Sequence, residues 1–353
     1  MNVVLDGIIF SLQRHGGISV YLRELIMRLR RDEVPSLLTL DGTLQQTAPL
    51  AGKALKTIAR TARPFERYRL CRVPVANTAT VFHSSYYRRP TDRSIASVVT
   101  VHDFIYERCV GAARRWVHSA QKFAAIREAR ALICVSEATL DDLHELVGVL
   151  PGQQVYVIHN GVSETFRPLT LPPSVTPFVL FVGQRTGYKN FRLALNALAK
   201  MPSIELRCVG GGNFQASELT SVSPEVRQRV RYFNFVSDEM LNELYNQAVC
   251  LVYPSKYEGF GIPVLEAMRA GCPVVSIRCK AVLEVGKDAL TVADADASDL
   301  SRCIELVMTP EYRSERILRG FAVSERFSWE KCYFETTKIY DQVGAGNNGR
   351  YSD

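Results

Sequence analysis

Short apolar runs, typical of buried strands, alternate with longer segments of helical period along most of the chain. Strands are predicted in the first half at Val3–Leu5, Ser36–Leu40, Thr80–Phe82, Ser97–Val101, Ala131–Val135 and Val155–Ile158. In the second half, strands are predicted at Phe178–Val182, Ile204–Val209, Val230–Phe235, Val249–Tyr253 and Val274–Ile277. Amphipathic helices such as 18–30 and 190–200 fill the intervals. This alternation predicts an α/β protein built on parallel sheets with crossover helices.

The break in this pattern predicts the domain organisation. Arg167–Pro177 contains four prolines and no periodicity, which is typical of a linker. We therefore expect two doubly wound, Rossmann-like domains facing a cleft. Their predicted limits are 1–165 for the N-terminal domain and 166–325 for the C-terminal domain. A last helix is predicted at 326–342, and the polar, glycine-rich end at 343–353 is expected to be disordered.

Composition narrows the class of protein. The 353 residues are 47% hydrophobic and 22% charged, as in soluble globular proteins. No apolar run approaches the roughly 20 residues that span a bilayer, and the N-terminus lacks a basic leader. Nine scattered cysteines without CxxC pairs fit a reducing compartment. We therefore expect a cytoplasmic protein that is either free or located at the inner face of the cytoplasmic membrane.

The net charge of +7 is uneven, because residues 1–165 carry +6 and residues 166–353 carry +1. The excess is concentrated between Lys53 and Arg72, where seven basic residues are opposed by Glu66. Such a segment could bind an anionic membrane surface or a polyanion, or it could be the solvated face of a helix. These interpretations remain open from the sequence. Nucleic acid is not expected as a partner, because Phe65 and Tyr68 are the only aromatic residues in the basic segment.

Candidate chemistry is concentrated in Val252–Pro273, which reads as strand, glycine loop, helix and stop. Gly259 and Gly261 precede a helix that begins near Pro263 and ends at Gly271. Free backbone N–H groups and the helix dipole make such a loop suited to an anion. Glu258 in the loop and Glu266 in the helix bracket this site, and Glu266 is suited to accept hydrogen bonds from the vicinal hydroxyls of a ribose.

Other polar residues fall at strand ends, where ligands bind in open α/β sheets. Arg185 and Lys189 suit the charge of a diphosphate, His102 follows a strand, and Gly16-Gly17 open a helix. The chain has no Walker motif and no Asp-x-Asp pair for a metal-bound diphosphate. A leaving diphosphate would be neutralised by Arg, Lys and backbone N–H groups, so no metal and no cofactor are expected.

Several motifs in this order resemble those of the family 4 retaining glycosyltransferases, which have the GT-B fold. They are Gly16-Gly17, VHDF (101–104), VSEAT (135–139), VIHNGV (157–162), FVGQRTGYKN (181–190), VSDEMLNELYNQA (236–248) and YPSKYEGFGIPVLEAMRAGCPVVS (253–276). The acids Glu258 and Glu266 form the E-x7-E signature of this family. The resemblance implies a hexosyltransferase similar to bacterial mannosyltransferases that assemble polysaccharide and lipopolysaccharide O-antigen.

The resemblance also implies that the domain at 1–165 binds the acceptor, that the domain at 166–325 binds the nucleotide-sugar, and that the last helix crosses back to the first domain. It further implies roles for individual residues. Glu266 would bind the donor ribose, and Lys189 and Arg185 would hold the diphosphate. His102 and Glu258 would act on the transferred sugar. Further donor contacts are implied at Gly16, Gly17, Val236, Phe260, Gly261 and Ile262. Two departures concern the local loops, since Tyr188 stands where many relatives have Arg, and Leu283 precedes Glu284 where relatives have Pro.

We therefore expect a sugar to be transferred with retained configuration from a nucleoside diphosphate donor to a hydroxyl of a glycan, often lipid-linked. GDP-mannose is the preferred donor by resemblance, and UDP-glucose or another UDP-sugar is the alternative. A noncatalytic nucleotide-sugar-binding protein is the remote alternative, disfavoured by the presence of Glu258, Lys189 and His102.

Overall fold

A computed structural model describes residues 2–13, 16–41, 55–61, 63–73, 80–185, 187–220 and 222–345. The chain divides into two compact units. The first comprises Met1–Asn160 with Trp329–Asp353, and the second comprises Gly161–Ser328. The final helix, predicted at 326–342, runs from Trp329 to Ala345 and belongs to the first unit.

The first unit is built on a parallel sheet, which in its described residues has seven strands in the order β3-β2-β1-β4-β5-β6-β7. The strands are β1 Asn2–Asp6, β2 Ser36–Asp41, β3 Leu55–Arg60, β4 Thr80–Ser84, β5 Ala96–Val101, β6 Ala131–Cys134 and β7 Gln154–Val157. The helices are α1 Ile8–Leu12, α2 Gly17–Arg31, α3 Ile105–Cys109, α4 Ala112–Glu128, α5 Glu137–Leu146 and, at the end of the chain, α13 Trp329–Ala345. Strands β4 and β6 are buried along their whole length, and β6 is correspondingly apolar throughout, whereas β4 also carries Thr80, His83 and Ser84.

The second unit repeats this plan with six described strands in the order β10-β9-β8-β11-β12-β13, all parallel. The strands are β8 Phe178–Val182, β9 Glu205–Val209, β10 Val230–Phe233, β11 Leu251–Tyr253, β12 Val274–Ile277 and β13 Leu290–Ala293. The helices are α6 Phe191–Leu198, α7 Pro224–Arg227, α8 Asp238–Gln247, α9 Ile262–Arg269, α10 Lys280–Gly286, α11 Ala297–Leu306 and α12 Pro310–Ser324. The predicted α/β class with doubly wound parallel sheets is therefore confirmed in both units.

The basic segment differs from the helix that was one interpretation of it. Leu55–Arg60 forms edge strand β3, which pairs in parallel with β2, and only Glu66–Tyr68 forms a short 3-10 turn. Leu55–Arg60 forms a strand rather than a helix because hydrogen bonds to β2 pair its backbone N–H and C=O groups. Lys53, His15 and the predicted tail from residue 346 onward lie outside the described residues.

Helix α13 is fixed to the first unit through a buried polar network. Tyr340 in α13 contacts His83 Nδ1 at 2.5 Å, and His83 Nε2 lies 2.8 Å from Thr100 Oγ1. Thr100 Oγ1 is also 3.0 Å from the hydroxyl of Tyr21 in α2. Burial lowers the pKa of His83 to about 3, so the ring is neutral and both nitrogens serve this network. In the described part of the chain, no helix has the length and apolar character needed to cross a bilayer.

Candidate active site

The signature loop lies where the strand order of the second sheet reverses. Strands β8 and β11 are neighbours at this switch point, and the chain continues from them to opposite sides of the sheet. The loop after β8 carries Lys189, and the loop after β11 carries Glu258. Ligands of doubly wound sheets bind beyond the carboxyl ends of the strands at such a point. The topology therefore brings together two of the residues predicted to act on the donor.

Lys189, Glu258 and Tyr253 form a cluster at this switch point. The Lys189 ammonium donates to Glu258 Oε1 at 2.7 Å and to the Tyr253 hydroxyl at 3.1 Å. Both charged side chains are largely buried, at 12% exposure for Lys189 and 9% for Glu258. Burial, followed by the negative charge of Glu258, raises the pKa of Tyr253 well above its ordinary value, so its hydroxyl stays protonated. The cluster places one cation and one acid at the mouth of the predicted anion site.

The glycine loop then starts helix α9 in the predicted manner. Gly261 is the N-cap with a φ of +115°, a left-handed conformation that favours glycine, and Pro263 occupies the first turn. Ile262 is the first helical residue and is half-buried. Phe260 is buried, with its ring 5.9 Å from that of Phe327. The Phe260 side chain therefore packs into the interior of the second unit.

The second signature acid, Glu266, lies one turn further along α9. Its Oε2 accepts a hydrogen bond of 3.0 Å from the hydroxyl of Tyr245 in α8. Burial is the main cause that raises the pKa of Glu266 to about 8; the Tyr245 hydroxyl opposes this increase and the neighbouring Asp238 adds to it. Glu266 therefore titrates close to physiological pH, which ordinary glutamates do not.

Arg185 is engaged within the protein rather than presented at the end of β8. Its guanidinium pairs with Glu218 at 2.5 Å and donates to the carbonyls of Gly210 and Gly212, the latter at 3.1 Å. A Cβ on Gly211 would lie 2.7 Å from Arg185 Nη1, so the close fit requires glycine there. These contacts give Arg185 a role in holding the loop after β9. Binding a diphosphate directly would require its guanidinium to exchange at least one of these partners.

In the first unit, His102 follows β5 and is 7% exposed. Its ring lies edge-on to that of Tyr21, with 5.1 Å between centroids. Burial lowers the pKa of His102 to about 3, so the imidazole is neutral. Its buried Nε2 has no hydrogen-bond partner among the described residues. Because buried polar atoms are nearly always paired, this nitrogen is suited to a ligand hydroxyl.

The segment that follows His102 is held by a buried cation. The Lys122 ammonium donates to the Asp103 carbonyl at 2.9 Å and to Glu107 at 2.7 Å. Both side chains of the Lys122–Glu107 ion pair are almost fully buried. The pair therefore fixes the backbone on which His102 is carried.

Three further predicted residues, Gly16, Gly17 and Val236, lie at or next to the starts of helices. Gly16 is the N-cap of α2, and Gly17 is its first residue, which leaves the N–H groups of a 15-residue helix available at its start. Val236 precedes Ser237, whose side chain caps α8 at the Met240 N–H. The sequence did not single out Tyr253, Tyr245 or Glu218, although the first two lie within quoted motifs.

One opening on the second unit lies away from the signature loop. A shallow cavity of about 600 Å³ is lined by Ser174–Thr176, Glu205, Arg207 and Arg231–Phe233. It contains none of the predicted site residues. Among the described residues, no group of three or more His, Cys, Asp or Glu side chains is placed to hold a metal ion. The chemistry available at the switch point is thus a cation, two acids and backbone N–H groups.

Two models of known protein families match the chain. Residues 15–166 match the model of Glycosyltransferase Family 4, and residues 162–319 match the model of Glycosyl transferases group 1. The O-antigen chain mannosyltransferase B of Escherichia coli is 41% identical over 113 residues, which are 31% of this chain and 30% of that protein. The chain thus aligns with less than a third of the length of this relative.

Solved structures support the same fold. The sucrose-phosphate synthase of Thermosynechococcus elongatus superposes with a TM-score of 0.79 at 20% identity, covering 98% of this chain and 100% of that one. Anabaena HepE, solved in complex with UDP-glucose, gives a TM-score of 0.74 at 15% identity and covers 97% and 100%. The predicted GT-B fold is confirmed. Since the two family models together span residues 15–319, the chain is a glycosyltransferase and belongs to the family 4 group.

Proposed function

We propose that this glycosyltransferase moves mannose from GDP-mannose to a hydroxyl of a glycan with retention of configuration. The observation that carries the proposal is the Lys189–Glu258 pair at the switch point, with Glu266 one turn further along α9. The supporting likeness is the 41% identical segment of the O-antigen mannosyltransferase.

Glu266 and Lys189 are proposed to hold the nucleoside diphosphate. The carboxylate of Glu266 accepts hydrogen bonds from the vicinal ribose hydroxyls, as acids do in other nucleotide-binding Rossmann folds. The Lys189 ammonium and the N–H groups at the start of α9 neutralise the diphosphate. Charge that accumulates on the leaving group is stabilised most strongly in such a preorganised, partly desolvated site.

Glu258 and His102 are proposed to position the transferred sugar. Glu258 is held by Lys189 at 2.7 Å, which favours a hydrogen-bonding role over that of a nucleophile. His102 offers its neutral imidazole and unpartnered Nε2 to a sugar hydroxyl. Gly16 and Gly17 supply backbone N–H groups from the start of α2, and Arg185 acts through the loop that it supports.

The transfer step that fits these roles is attack on the same face of the sugar from which the diphosphate departs. The bond between C1 and the diphosphate oxygen breaks, and a bond from C1 to the acceptor oxygen forms. The acceptor proton passes to the departing diphosphate oxygen, which serves as the base. No protein nucleophile is needed, so Glu258 keeps its hydrogen bonds throughout.

A transfer assay tests this proposal. Purified protein is incubated with GDP-mannose or UDP-glucose and an isolated lipid-linked glycan, and both nucleotide release and the anomeric configuration of the product are measured. We expect mannose incorporation in the anomeric configuration of the donor and a Glu266→Ala variant with raised KM and lowered kcat. Full turnover by Glu266→Ala would contradict the site assignment. UDP-glucose is the alternative donor, and preferential glucose transfer would replace mannose in the proposal.

The acceptor is proposed to be a glycan growing on a lipid carrier at an anionic membrane. Around the short 3-10 turn, Phe65 is 78% exposed, and Tyr68 and Leu70 are also exposed. Two basic side chains of the same segment are exposed as well, Arg63 at 68% and Arg69. Exposed aromatic and apolar groups beside basic side chains suit the interface of an anionic bilayer.

A further inference from the structure

A buried tyrosine outside the signature loop contacts the second signature acid. Tyr245, in α8, is fully buried, and its ring lies edge-on to that of Phe166 at 5.9 Å. Its hydroxyl is 3.0 Å from Glu266 Oε2 and 3.4 Å from the carbonyl of Pro263. A single O–H can donate fully to only one acceptor, and the shorter contact is to the acid. The Tyr245 hydroxyl therefore donates to Oε2 of Glu266, and the other carboxylate oxygen, Oε1, is left to accept from another donor.

Tyr245 is also the group that counteracts the unfavourable surroundings of this carboxylate. Burial and Asp238 both disfavour the ionised form of Glu266, and the Tyr245 hydroxyl favours it. Among the described residues, no Lys or Arg is paired with Glu266. The first signature acid differs in this respect, because Lys189 neutralises Glu258. Glu266 thus depends on a hydroxyl, rather than on a cation, for support of its charge.

We propose that Tyr245 is a positioning residue of the donor site, which holds Oε2 of Glu266 and presents Oε1 to the ribose hydroxyls of the donor. This inference rests on the proposed function, because it assigns Glu266 to the ribose. Two consequences follow from the geometry. Without the Tyr245 hydroxyl, the carboxylate loses its fixed orientation, and its ionised form loses its principal hydrogen-bond donor.

The consequence for pH follows from the groups that face this carboxyl. Tyr245 and Asp238 face it from α8, while Cys272 and Tyr253 lie within electrostatic range of Tyr245. Burial raises the pKa of Glu266 to about 8. An ionised carboxylate accepts stronger hydrogen bonds than a neutral one, so nucleotide affinity should increase as the pH rises toward 8. Loss of the Tyr245 hydroxyl should move this increase to higher pH.

Calorimetric titration with GDP from pH 6 to pH 9 tests the inference in the full chain. The variants are Tyr245→Phe and, as a matched control, Tyr312→Phe. Tyr312 belongs to the same unit, and its hydroxyl lies 3.2 Å from Thr291 Oγ1, away from the signature loop. We expect wild type and Tyr312→Phe to share one pH profile. Tyr245→Phe should bind GDP about 5- to 10-fold more weakly at pH 7.5, with affinity still increasing at pH 9.

A Glu266→Gln variant keeps the test decisive even if Tyr245→Phe does not fold. The amide retains an oxygen for Tyr245 but cannot ionise, so it should abolish the difference in GDP affinity between pH 6 and pH 8. An unchanged pH profile in Tyr245→Phe, or in Glu266→Gln, would overturn the inference. Wild-type protein that binds neither GDP nor UDP would instead overturn the proposed function, and the inference with it.

Discussion

Glu258 and Glu266 lie eight residues apart, and their carboxylates have different partners. Glu258 is paired with Lys189, whereas Glu266 receives the Tyr245 hydroxyl. The first arrangement keeps an acid charged beside a cation that can face phosphate. The second leaves an acid that titrates near pH 8. The two positions of one motif are therefore suited to different parts of a nucleotide-sugar.

The Lys189–Glu258 pair allows stability and catalysis to be separated. Lys189→Met leaves Glu258 largely buried without a cation, and we expect it to destabilise the second unit by about 3 kcal/mol. It should also lower kcat by about 100-fold, because the leaving diphosphate loses its lysine. The double variant Lys189→Met/Glu258→Gln should recover most of the stability and none of the activity. Urea unfolding and transfer assays measure the two effects, and recovery of activity in the double variant would contradict a catalytic role for Lys189.

Glu266 should impose a pH dependence on stability. The folded-state pKa is about 8, against an ordinary value of 4.5, so the folded protein binds this proton more tightly than the unfolded chain does. The stability that the folded protein gains from binding this proton more tightly is fully present below about pH 4.5 and is lost as the pH rises to about 8. Because the Glu266 side chain is only half-buried, the free energy of unfolding should fall by about 1 kcal/mol per pH unit across this window. Urea unfolding of wild type and Glu266→Gln at pH 5.5, 6.5 and 7.5 measures it, and parallel curves would contradict the raised pKa.

At the scale of elements, the loop after β9 depends on three consecutive glycines with positive φ. Gly211 has a φ of +79°, and a Cβ there would also meet Arg185 and the carbonyl of Gly183 at 2.7 and 2.9 Å. Gly212 has a φ of +73° and open space around it. We expect Gly212→Ala to cost about 1 kcal/mol and Gly211→Ala at least about 2 kcal/mol. Thermal unfolding of the two variants compares them, and equal costs would argue against the close fit of Arg185.

The exposed segment around the 3-10 turn should contribute to membrane binding. Arg69→Glu reverses one charge beside Phe65 and Leu70, and we expect it to weaken binding to anionic vesicles about 10-fold. The matched control is Arg302→Glu in the second unit, whose side chain is 79% exposed. Vesicle sedimentation measures both variants. Equal binding of wild type to neutral and anionic vesicles would remove the electrostatic basis of the proposal.

At the scale of the whole molecule, the sequence predicted the described strands of both sheets other than β3 and β13. A buried parallel strand is often a continuous apolar run, which needs no tertiary information to be recognised. The runs at Phe178–Val182 and Val274–Ile277 are found as strands with the predicted limits. The start and the end of α9 were also predicted from the sequence. Gly261, Pro263 and Gly271 have backbone preferences that mark helix ends without any tertiary contact.

The partners of the site residues did not follow from the sequence, because they are set by tertiary contact. Lys189 meets Glu258 across 69 residues of chain, and Arg185 meets Glu218 across 33. Leu55–Arg60 was open to a helical interpretation because its pairing with β2 is equally nonlocal. Tyr245 lies within a quoted motif, but only the packing of α8 beside α9 brings its hydroxyl to Glu266.

The central claim is that the second unit holds a nucleoside diphosphate through Glu266 and Lys189. Calorimetric titration of GDP into wild type and Glu266→Ala at one pH tests it most directly. We predict one GDP site per chain in the wild type, tighter than for UDP, and an affinity about 10- to 100-fold lower in Glu266→Ala, as expected for loss of a charged hydrogen-bond acceptor. Equal GDP affinity in the two proteins would contradict the account.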